Sequence, residues 1–216
     1  MQHSSDTGID EYTAKGILRA YGIPTAREAL VHDLDEAKAR VMEIGYPVVL
    51  KVCSAELMHK TELGLIRLNL KDEHELIQAY EELRMKDSRS PLLMAEMLRG
   101  DRELMAGIVR HQGFPPCLVF GLGGVFAEAI DDISLRLSPV TRNDVFEMLN
   151  GISSNTILNT YRSMEPVDRE AVADIIIALD HLVTHFPRIK EMDLNPIIVK
   201  NGKPFVADAL MIIEKE

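Results

Sequence analysis

Residues 191–212, EMDLNPIIVKNGKPFVADALMI, read as a strand, a two-residue turn and a returning strand. Asn201-Gly202 is a pair that tolerates the positive φ angles of a tight hairpin turn. Ahead of it, Glu191, Asp193 and Asn195 recur at period two and share one face, while Met192 and Leu194 point the other way into a core. The return strand brings Asp208 back alongside. An acid and an amide across a hairpin offer the few protein oxygens that Mg²⁺ takes, with water and phosphates filling the other positions. A solvated polar face accounts for this stretch equally well. Pro196 inside the strand suits an edge, where no ladder donor is needed.

Working outward, helical periods cover 10–21, 33–45, 72–84, 141–152 and 168–186. Asp33 opens the second helix and Gly45 closes it. Strands are expected over 26–31, 46–52, 65–70, 115–124, 125–130 and 134–139. LLMAEMLR (92–99) and ELMAGIVR (103–110), separated by GDR, read as a further hairpin. The fold class is α+β with largely antiparallel sheets, because no βαβ alternation is sustained.

The chain has 216 residues and a formal net charge of −10, with no basic stripe, so nucleic acid is not the expected partner. No apolar run approaches the ~20 residues of a membrane span, and the polar start MQHSSDTGID is no signal peptide. Cys53 and Cys117 form no metal-binding or disulfide pattern, which points to a reducing cytoplasm. Cys53 reads as a small core residue.

Four further features could carry chemistry. Lys51 ends the apolar strand PVVLK, either as a snorkelling edge residue or as a cation for a phosphate. The connection SAELMHKTELG (54–64) places His59 and Lys60 where a plain turn would do. Glu96 and Glu103 flank the turn in MAEMLRGDRE, where backbone groups could read an adenine edge. GLGGVFAE (121–128) allows close backbone approach to a ligand but matches neither a P-loop nor a Rossmann fingerprint.

In this order the features resemble the ATP-grasp fold, and most closely the nucleotide-binding β subunit or domain of the NDP-forming acyl-CoA synthetases, such as acetate–CoA ligase (ADP-forming). YGIPT, IGYPVVLKV, HKTELG, FGLGGVFAE with RLSP, and EMDLNPIIV with VADA carry the likeness from about residue 11 to 212. The resemblance implies two α+β lobes clamping a nucleotide. Residues 1–9 would be a flexible tail and 10–216 the ATP-grasp domain. Its small lobe would span about 23–92, its large lobe about 10–22 plus 93–216.

By the same resemblance, Lys51 would contact the phosphates of ATP or ADP, Glu96, Met97 and Leu98 would surround the adenine, and Glu103 would lie near the ribose or phosphates. Asn195 and Asp208 would hold Mg²⁺, supported by Asp193. His59 would accept a phosphoryl group, with Lys60 screening its charge. A separate CoA-binding α subunit, carrying a second phosphohistidine, would complete an α/β hetero-oligomer. The alternatives are an ATP-grasp carboxylate ligase acting through an acyl phosphate and a non-catalytic regulatory module. The chain departs from the family pattern at Leu65 (usually glycine), His111 (usually aspartate), Phe114-Pro115-Pro116 (usually Phe-Gly-Pro) and Thr160–Ser163 (usually Gly-Tyr-Arg-Gly). Leu65 gives the loop a side chain where close approach to phosphate would favour none.

Overall fold

The structure, a computed structural model, describes residues 6–56, 63–124, 131–160, 162 and 164–215. His59, Lys60 and the strand expected over 125–130 lie outside the described residues. The chain divides into two compact units: the first comprises Met1–Gly8, Ala14–Thr25 and Arg99–Glu216, the second Ile9–Thr13 and Ala26–Leu98.

The second unit is a four-stranded antiparallel sheet in the order β2-β5-β3-β4, made of β2 (Glu28–Val31), β3 (Val48–Val52), β4 (Ile66–Leu70) and β5 (Leu92–Glu96). Helices α2 (Leu34–Ile44) and α3 (Glu73–Lys86) cover it. Their inner residues Ala37, Val41, Leu76, Ala79 and Leu83 join Val48, Leu50, Val52, Leu92 and Met94 in one core. Asp33 and Asp72 cap the two helices by accepting from Glu36 and Glu75 N–H groups. Leu65 is buried in this same core.

The first unit is a seven-stranded sheet in the order β1-β11-β9-β6-β7-β8, with β10 also on β9. Its strands are β1 (Thr7–Ile9), β6 (Arg102–Val109), β7 (Cys117–Leu122), β8 (Ile133–Leu137), β9 (Ile189–Lys200), β10 (Lys203–Val206) and β11 (Leu210–Ile213). Helices α4 (Arg142–Gly151) and α5 (Arg169–His185) pack on one face, over Leu104, Ile108, Leu118, Phe120, Met192 and Leu194. Thr141 and Asp144 form a capping box on α4. No helix among the described residues is long and apolar enough to cross a membrane.

Three expectations change. Residues 7–9, read as the end of a flexible tail, form β1 beside β11. The hairpin expected over 92–110 does not form: β5 pairs with β2 and β3, whereas β6 pairs with β7 and β9. The difference lies in burial. β5 is covered along Leu92–Ala95 without alternation, as suits an interior strand, while β6 opens with exposed Asp101 and Glu103 around buried Arg102. Pro196, expected on an edge, sits in an interior strand. It is accommodated because the β6–β9 register shifts between Leu104 and Ala106 and the return strand breaks at 207–209, so no ladder donor is required of it.

Gly107 shows how closely the central strands approach. A Cβ there would lie 2.6 Å from the Met192 carbonyl oxygen. Gly107→Ala is expected to lower stability by about 2 kcal/mol, read as a shift in the urea midpoint at constant m-value.

Candidate functional site

Lys51 lies next to the C-terminal end of β3, an interior strand whose register sets Lys51 opposite Leu93 on one side and Ile66 on the other. It is 4% exposed and forms an ion pair with Glu11, in the first turn of α1 (Glu11–Ala20). The snorkelling reading is thereby overturned: the ammonium group is inside. A lysine and a glutamate at this depth are desolvated at several kcal/mol each, which their attraction and hydrogen bonds must offset. Nearby, Cys53 is 3% exposed, in the core as expected, and its Sγ–H donates to Asp10 Oδ1 at 3.4 Å.

Glu96 ends β5 and is engaged by Arg27. Its Oε1 accepts the Arg27 backbone N–H at 2.8 Å, and Oε2 accepts Nε and Nη2 at 3.3 and 3.2 Å. The Glu96 and Met97 N–H groups donate to the carbonyls of Arg27 and Pro47. Leu98 is buried. These three residues and Lys51 therefore belong to the second unit, while Glu103, Asn195 and Asp208 belong to the first.

Within the first unit, Glu103, Gly124 and Asn195 meet. Gly123 N–H donates to the Glu103 carbonyl at 2.9 Å, and Gly124 N–H donates to Asn195 Oδ1 at 2.9 Å. Gly124 has φ +79°, and a Cβ on it would overlap the Glu103 carboxylate. Glycine is required here by both the backbone angle and the neighbouring side chain.

Burial alternates along β9 as expected: Met192 and Leu194 are buried, and Glu191, Asp193 and Asn195 are half-buried on the opposite face. The pairs Leu210↔Asp193 and Val206↔Ile197 bracket the strand break, so Ala207–Ala209 run opposite Asn195-Pro196. Ala207 N–H donates to the Pro196 carbonyl at 3.0 Å. Asp208 Oδ1 accepts the Ala209 N–H at 2.8 Å. The Asp193 carboxyl is pushed up to about 6, by burial first and then by the charges of Glu191 and Asp208. Its Oδ1 is buried and has no hydrogen-bond partner among the described residues.

That orphaned oxygen, in a neighbourhood with excess negative charge, suits a hard cation. Among the described residues no group of three His, Cys, Asp or Glu side chains is placed to enclose a metal. An open site of one amide and one carboxylate, leaving positions for water and phosphate, is the form that Mg²⁺ takes.

Three residues that sequence reasoning passed over shape these surroundings. Glu11 and Lys15, four apart on α1, look like a solvent-facing ion pair but are 2% and 0% exposed. Neither carries a local signal of burial. Gly124 was legible only as part of a glycine cluster, since its contact with Glu103 and Asn195 is long-range.

A family model for the ATP-grasp domain matches residues 1–213. The β subunit of acetate–CoA ligase (ADP-forming) I from Pyrococcus furiosus is 36% identical over 211 residues, covering 94% of this chain and 90% of that one. Among solved structures, the dinucleotide-forming acetyl-coenzyme A synthetase 1 of Ca. Korarchaeum cryptofilum, in complex with coenzyme A, Ca-AMPCP and HgCl⁺, superposes with a TM-score of 0.90. Identity there is 34%, over 96% of this chain and 94% of that one. A second structure of that protein contains coenzyme A and Mg-AMPPCP, with its phosphohistidine segment pointing towards the nucleotide binding site. It gives a TM-score of 0.84 at 36% identity, over 96% and 93% of the two chains.

Two predictions follow from the charges. Glu11→Ala strands Lys51 in the interior and is expected to cost about 3 kcal/mol, whereas Glu11→Leu with Lys51→Met stays within about 1 kcal/mol of the parent in denaturant titrations. The folded chain holds a proton on Asp193 that the unfolded chain releases between about pH 4 and 6. In EDTA, stability therefore falls as pH rises through that window. Asp193→Asn is expected to flatten the fall and raise stability at pH 7 by on the order of 1 kcal/mol.

Proposed function

The chain belongs to the ATP-grasp domain family, and from that premise we propose that it is the nucleotide-binding β subunit of an ADP-forming acyl-CoA synthetase, a ligase. The overall reaction interconverts acyl-CoA, ADP and phosphate with carboxylate, CoA and ATP. The observation that carries this reading is the paired placement of Asn195 and the Asp208 break across β9, beside an Asp193 oxygen without a hydrogen-bond partner among the described residues.

Asn195 and Asp208 would hold Mg²⁺, supported by Asp193, and the bound ion would neutralise phosphate charge. Lys51 binds the phosphates as a point charge, and it must exchange part of its ion pair with Glu11 to do so. Glu96, Met97 and Leu98 border the adenine. Since two of their N–H groups are already donated, the base edge meets carbonyls and the Leu98 N–H. Glu103 lies by the ribose or phosphates, held against Gly124.

His59 is the phosphoryl acceptor on this chain. Neutral imidazole attacks the γ-phosphorus of ATP, the bond to the β-phosphate oxygen breaks, and ADP leaves. Lys60 offsets the negative charge on the new phosphohistidine. In the ATP-forming direction His59 receives the group from a phosphohistidine on a separate CoA-binding α subunit and passes it to ADP. The pair forms a cytoplasmic α/β hetero-oligomer. The β-subunit naming of the Pyrococcus relative and the phosphohistidine segment named for the Korarchaeum structure support this arrangement.

Incubating the purified chain with γ-labelled ATP and Mg²⁺ tests the reading. An acid-labile, alkali-stable label is expected on the wild type and is lost in His59→Ala and Asp208→Ala. Label that persists in His59→Ala would remove His59 from the relay. A carboxylate ligase acting through an acyl phosphate would instead keep its turnover in that variant.

A further inference from the structure

Lys15 is fully buried, which is rare for a lysine because its ammonium group must leave water. Its Nζ donates to the Ala207 carbonyl at 2.7 Å. That carbonyl belongs to the peptide group joining Ala207 to Asp208, in the break between β10 and β11. The same residue is held from the other side, since Ala207 N–H donates to the Pro196 carbonyl at 3.0 Å. The backbone leading into Asp208 is thus tied to the residue following Asn195 and to the ammonium group of α1. Asn195 is in turn held by Gly124 N–H.

A pin alone does not explain the choice of residue. A glutamine could donate to the same carbonyl without burying a charge, and a buried charge is costly. It becomes explicable where negative charge has accumulated. Asp208 is the next residue along from the carbonyl that Lys15 grips, and Asp193 lies across the same break, opposite Leu210.

We infer that Lys15 is a positioning residue for the divalent-cation site: it sets the backbone that presents Asp208, and its charge allows the carboxylates around that break to be assembled before the cation arrives. This rests on the assignment of Asn195 and Asp208 to the cation. It adds a residue whose effect on metal binding passes through Asp208.

The test is an MgCl₂ titration of AMPPCP binding to the full chain by calorimetry, with AMPPCP binding in EDTA as the control. Lys15→Met is expected to raise the Mg²⁺ midpoint about tenfold while leaving binding in EDTA within twofold. In an Asp208→Ala background the same substitution is expected to add less than twofold, because the ligand it positions is gone. A midpoint within twofold of wild type, or an equal shift with and without Asp208, overturns the proposal. Lys15→Gln keeps a donor and removes the charge. Should Lys15→Met fail to fold, a midpoint raised at least threefold in Lys15→Gln upholds the proposal and a smaller shift overturns it. Wild-type chain that binds no AMPPCP in Mg²⁺ overturns the nucleotide-binding reading itself, an outcome visible before any variant is made.

Discussion

Strand β9 is paired on both sides, to β6 and to β10 and β11, and a one-residue slip would send Met192 and Leu194 to the polar face and Asp193 into the core. Burial of one face therefore dictates which residues appear on the other. Glu191, Asp193 and Asn195 are held together because Met192 and Leu194 must be inside. The irregularity at Asn195-Pro196 is matched by a register shift on one neighbour and a strand break on the other. This match places Asp208 across from Asn195 without a strain-prone insertion in the interior of the sheet.

Buried charge is the second organising element. Glu11, Lys15 and Lys51 are each less than a tenth exposed, and none of them contributes to an apolar core. Each is expensive to keep out of water and each has a partner that fixes its position: Glu11 with Lys51 in the second unit, Lys15 with the Ala207 carbonyl in the first. An arrangement of this kind gains little stability over apolar residues of the same volume. It does gain placement, and placement is what electrostatic handling of phosphate and metal requires. The unbonded oxygen of Asp193 fits the same pattern, a local cost that a cation would relieve.

Glycine positions show the same economy of space. Gly107 lets β6 and β9 approach, and Gly124 admits the Glu103 carboxylate while its N–H holds Asn195. The departure at Leu65, by contrast, places a side chain in the core of the second unit.

The sequence by itself determined most of the secondary elements among the described residues, the antiparallel character of the sheets and the order of the functional motifs. Periodicity, caps such as Asp33 and turns such as Asn201-Gly202 act over a few residues, so a local reading is sufficient. The motif order also led to the family. Only the tertiary structure decided that β5 and β6 part company, that Pro196 lies in an interior strand, and that Lys51 is enclosed. Each of these depends on which strands become neighbours, and pairing partners distant in the chain leave no mark on the local pattern. Glu11 and Lys15 make the point most sharply. Spaced four apart on a helix, they look like a surface pair, and only long-range partners, Lys51 for Glu11 and the Ala207 carbonyl for Lys15, mark them as buried charges with separate tasks.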